Sequence, residues 1–119
     1  MIVVAVTPPG PLQAFKAEFF KALAHPVRIR ILEILVGGAR SVQDLQDALD
    51  LDQPTVSQQL AILRAKNIVT TAKVGTSVRY ALGDPLVRDL LDLARRVFNN
   101  QLIGSQSMLR ELRREHTRR

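Results

Sequence analysis

From Pro11 the apolar side chains Phe15, Phe19 and Leu23 recur at every fourth position, with Phe20 beside them. That spacing predicts an amphipathic helix with a wide apolar stripe. His25-Pro26 interrupts it, because the residue before a proline is pushed out of the α region. Pro26 suits the first turn of a second helix, in which Ile29, Leu32 and Val36 mark one face and Ile31 and Leu35 the next. Gly37-Gly38 ends it, as residues tolerant of left-handed backbone do. Ser41, with Asp44 three residues on, reads as the cap of a short third helix whose inner face is Val42, Leu45 and Leu49. After a tight connection through Asp50, Asp52 and Pro54 mark the cap and first turn of a fourth helix, with Val56, Leu60 and Leu63 as its buried stripe.

From Ile68 the period falls to two. Val69, Thr71 and Lys73, then Gly75-Thr76, then Val78, Tyr80 and Leu82 predict a β-hairpin with Gly75 in its turn. Asp84-Pro85 restarts a helix, with Asp84 as its cap. Leu86, Leu90, Leu93 and Val97 form one stripe of this helix, and Leu91, Ala94 and Phe98 form a second. The pattern continues to about Arg114, with a break near Gly104. The predicted fold is mainly α with a small β-hairpin, a winged helix-turn-helix in the order α-α-α-α-β-β-α. Residues 1–10 read as a flexible N-terminal arm, 11–114 as the domain with its first and last helices for dimerisation, and 115–119 as a basic tail. One helix of a small monomer cannot easily bury two stripes against its own chain, which predicts a homodimer joined through Phe15, Phe19, Leu90, Leu93, Val97 and Phe98.

Composition sharpens this picture in three ways. The 119 residues suffice for one domain, and 46% hydrophobic with 24% charged residues is ordinary for a globular one. Seventeen Lys and Arg against eleven Asp and Glu leave a formal charge of +6, which favours a polyanion such as nucleic acid, although basic side chains also serve simple solubility. The chain has no cysteine, which excludes disulfides, thiol redox sensing and thiolate metal ligands. No apolar run approaches the ~20 residues that span a bilayer, and Met1 to Val6 lacks the form of a signal peptide, so a cytoplasmic location is expected.

Candidate chemistry lies between Ser41 and Leu82. At about 100° per residue, Gln58 points away from the Val56, Leu60 and Leu63 stripe, Thr55 lies beside it, and Ser57 and Gln59 flank the two faces. Gln can pair bidentately with adenine, and Ser or Thr can reach a base or a phosphate. Gln53, Arg64, Lys73 and Arg79 are candidate phosphate contacts, which position a protein without reading sequence. Taken singly, Thr55 or Gln53 fits a solvated helix face equally well. Tyr80 reads as hairpin core rather than as a stacking platform.

The stretches FKALAHPVRIRILEIL (Phe20 to Leu35), PTVSQQLAILRAKNIV (Pro54 to Val69) and VGTSVRYAL (Val74 to Leu82) resemble the second helix, recognition helix and wing of the ArsR/SmtB family of bacterial repressors. Residues 15 to 98 carry the resemblance, and MarR-type regulators share pieces of it. It implies a homodimer that represses transcription by binding an inverted-repeat operator in double-stranded DNA and is released by an effector, here an unspecified small molecule. It also implies that Ser57, Gln58 and Gln59 form the base-reading segment, although Gln59 stands where that family often has His. The family's cysteine metal sites are absent. Asp84 is present, but its histidine partners on the last helix are not. His25 reads as structural, and Glu115 with His116 offers at most a weak metal site beside a basic tail. No metal site or cofactor is therefore expected. A winged-helix protein-interaction module without DNA binding is the alternative, against which the basic charge weighs. An enzyme is excluded, since two distant histidines and no glycine-rich phosphate loop leave no catalytic constellation.

Overall fold

The computed structural model describes residues 7–102 and 105–118, with side chains as far as Glu115. Helices α1 (Pro11–Leu23), α2 (Pro26–Leu35), α3 (Val42–Leu49) and α4 (Gln53–Ala65) precede strands β1 (Val69–Val74) and β2 (Ser77–Leu82). Helices α5 (Leu86–Gln101) and α6 (Gln106–Arg118) follow. The last helical pattern is thus carried by two helices, and Gly104 itself lies outside the described residues. Helix α6 reaches Arg118, so residues 115–118 of the expected tail are helical. Of the expected arm, residues 7–10 are non-helical and the first six lie outside the described residues.

Side chains cap the starts of α2 and α3. His25 caps α2, its Nδ1 accepting from the Val27 amide at 3.1 Å. Ser41 and Asp44 complete a reciprocal capping box at α3, with bonds of 3.1 and 3.0 Å. Asp84 Oδ1 accepts from the Leu86 amide at 2.9 Å, but the N-cap position of α5 is Pro85, one residue beyond the expected Asp84. Asp52 occupies the expected N-cap position of α4, but its side chain makes no capping bond.

One apolar cluster holds the helices and hairpin together. Ile31, Leu32, Leu45, Val56, Leu60 and Leu63 are fully buried, with Ile68 and Val69 at the entry to the hairpin. Tyr80 and Leu82 pack against it from β2 and Leu91 from α5. No polar residue among those described is buried, so burial is driven by apolar area alone. Val87 anchors the start of α5 on this cluster, a position outside both predicted stripes.

The two strands pair antiparallel from Val69↔Leu82 to Val74↔Ser77, which leaves Gly75-Thr76 as the loop. Gly75 takes φ 63° there. Arg40 adds a short third edge, exchanging backbone bonds with Tyr80 at 2.9 and 2.7 Å.

Candidate nucleic-acid interface

A tight turn sets the angle between α3 and α4. Asp50 takes the left-handed conformation, φ 55°, at the end of α3, a region that Asp tolerates through its short polar side chain. The buried Val56, Leu60 and Leu63 then seat α4 on the core. Its opposite face presents exposed Gln58, with half-buried Thr55 beside it.

The remaining predicted reading residues are already engaged. Gln53 Nε2 donates to Ser57 Oγ at 2.7 Å, so these two side chains act as a pair one helical turn apart. Gln59 is half-buried, and its Oε1 accepts from Arg28 Nη1 of α2 at 2.8 Å. Its carboxamide is therefore turned toward α2, away from Gln58. Arg64 is exposed near the end of α4, on the flank of the helix that carries Gln53 and Ser57.

The hairpin separates Lys73 from Arg79. Lys73 pairs with Val78 and Arg79 with Ala72, so adjacent register positions place the two cations on opposite faces. Lys73 is exposed beside the turn. Arg79 Nη1 instead donates to the Ala39 carbonyl at 3.3 Å and lies 3.8 Å from Asp44 Oδ2. The Ser41 amide and hydroxyl hold the Asp44 carboxyl below its ordinary range, and the Arg79 and Arg40 guanidinium groups act in the same direction. Arg79 thus fastens the wing to the start of the helix-turn-helix. Sequence reasoning missed this strut and the Arg28 bond, because both join residues distant in the chain.

A second face is apolar and uncovered. Phe15 is 75% exposed, Leu86 66% and Leu93 57%, with Leu12, Phe20, Val97 and Phe98 also exposed. Phe19 and Leu90 are half-buried and line a 350 Å³ cavity with Asn67, Ile68, Asp84, Leu86 and Val87. Among the described residues, no group of three or more His, Cys, Asp or Glu is placed to hold a metal ion. The His116 side chain, part of the weak metal site considered from sequence, lies outside the described residues.

A family model described as bacterial regulatory protein, arsR family, matches residues 25–71, from the cap of α2 into β1. The HTH-type transcriptional regulator Rv0081 of Mycobacterium tuberculosis is 42% identical over 104 residues, covering 87% of this chain and 91% of that protein. Its crystal structure superposes with a TM-score of 0.75 over 79% of this chain and 95% of the other, at 43% identity. The biofilm growth-associated repressor of Xylella fastidiosa is 35% identical over 85 residues, 71% of this chain and 75% of its own. The winged helix-turn-helix DNA-binding domain of Mb0332 from Mycobacterium bovis, described as homodimeric, gives a TM-score of 0.73 at 26% identity, over 83% of this chain and 95% of that one. These relatives are regulators, not enzymes. The chain belongs to the arsR family of bacterial regulatory proteins, and it is a winged helix-turn-helix, DNA-binding transcriptional regulator.

Proposed function

We propose that two copies of this chain pair through α1 and α5 and repress transcription by binding an inverted-repeat operator in cytoplasmic DNA. The carrying observation is the outer face of α4, where exposed Gln58 and half-buried Thr55 lie away from a fully buried stripe. A helix in the major groove reads base edges with such side chains, Gln pairing bidentately with adenine. The Gln53–Ser57 pair, Arg64 and Lys73 contact phosphate, which fixes register on the duplex. Arg79 contributes mainly by holding the wing against α3. The exposed apolar faces of α1 and α5 are the dimer interface, with Phe15, Phe19, Leu90, Leu93, Val97 and Phe98 at its centre.

Release from DNA is assigned to a small apolar molecule. The cavity between α1 and α5 is lined by Phe19, Ile68, Leu86, Val87 and Leu90 with Asn67 and Asp84 as polar groups, a mostly apolar lining that suits such a ligand, and the chain has no thiolate to recruit a soft metal.

Selection from a pool of random duplexes with the purified protein tests the function. The expected product is one consensus whose half-sites are related by two-fold symmetry, with centres about one DNA turn or a multiple apart. A pool that enriches no sequence would overturn the proposal.

A further inference from the structure

The fork of Arg28 joins two helices that are otherwise separate in function. Its Nε donates to the Ala22 carbonyl at 2.7 Å and its Nη2 to the Lys21 carbonyl at 3.4 Å, both in the last turn of α1. A cation there is favoured by the helix dipole and satisfies the Ala22 carbonyl, while the Lys21 carbonyl also accepts from the Ala24 amide at 3.1 Å. The third bond, from Nη1 to Gln59 Oε1 at 2.8 Å, reaches α4. Arg28 is half-buried, and its bonds to Ala22 and Gln59 are partly shielded from water.

We infer that Arg28 is a positioning residue for DNA reading: it clamps Gln59 to the end of α1, sets the orientation of α4 and leaves Gln58 to read bases. This rests on α4 being the reading helix. Bidentate reading of adenine needs a free carbonyl oxygen and a free amide of one carboxamide, both aimed into the groove. Gln58 has that freedom, whereas the Gln59 carboxamide is held at its oxygen and faces α2. The rigid planar fork of Arg suits a contact to three acceptors in fixed places, and the single ammonium of Lys cannot reproduce it.

The test uses the full chain and the duplex that the wild-type protein selects from a random pool. Arg28→Lys and Gln59→Met are each expected to weaken binding to that duplex about tenfold, the scale of a charge-assisted hydrogen bond. The double variant should lose no more than either single one, because both break the same bond. Binding to a random duplex should change less than about twofold. Losses that multiply in the double variant, an unaffected Gln59→Met, or equal losses on the random duplex would overturn the inference. Gln59→Met leaves the Arg28 hold on α1 in place, so it carries the test even if Arg28→Lys fails to fold. Selection repeated with Gln59→Met should return the wild-type consensus. A consensus that loses one base position would make Gln59 a direct reader and overturn the clamp. A wild-type selection without a consensus would overturn the proposed function, and the clamp with it.

Discussion

Asp44 shows how one side chain serves both a helix and a wing. It completes the cap of α3 with Ser41 and receives Arg79 from β2. Its pKa is depressed below the ordinary 3.8 in the folded protein. A depressed carboxyl contributes stability that is present above the unfolded value and is lost as pH falls through the folded one. Asp44→Asn is therefore expected to melt at a lower temperature than wild type at pH 7, and the gap should close below pH 3.8. Circular dichroism melts between about pH 7 and pH 3 check this, and a gap that does not narrow as pH falls past 3.8 would contradict it. The cap was legible in the sequence, since Ser41 and Asp44 stand three residues apart before an apolar run. The Arg79 contact was not, because local pattern says nothing about which distant cation folds back onto Asp44.

Among the elements, the helices and hairpin could be read from period alone, and the junctions could not. The stripe of α4 matched its buried positions because a 3.6-residue period leaves little choice of face. Sequence names Lys73 and Arg79 as candidate phosphate contacts without saying which face each takes, and the observed register puts them on opposite faces. Gly83 was overlooked, since it sits in no turn pattern. A Cβ there would collide with the backbone carbonyl oxygen of Asn67, while the Gly83 amide donates to Ile68 at 2.8 Å. Backbone cannot yield as a flexible side chain does, so Gly83→Ala is expected to cost about 1–3 kcal/mol in urea unfolding. A change below about 0.5 kcal/mol would show that the junction between β2 and α5 shifts freely.

At the scale of the whole molecule, the uncovered apolar face decides the assembly. Its exposure on α1 and α5 was anticipated from two stripes that one helix could not bury, and Leu86, Leu93, Val97 and Phe98 do stand exposed on a single chain. The second helix at the C-terminus was foreseen only as a break, because the apolar repeat continues on both sides of it. Light scattering at micromolar concentration is expected to give the mass of a dimer. Leu93→Glu should shift it to monomer while leaving the helical signal intact, because a charge at a residue 57% exposed in the single chain harms only a covered state. A monomeric wild type would contradict the pairing. Two recognition helices on one dimer then require a symmetric duplex, and that requirement returns to one side chain on α4. The most direct measurement compares wild type and Gln58→Ala by fluorescence anisotropy on the selected inverted repeat and on a random duplex at equal salt. The expected result is a loss of about 1–3 kcal/mol on the inverted repeat and little change on the random duplex. Equal losses on both would mean that α4 holds the backbone without reading the bases.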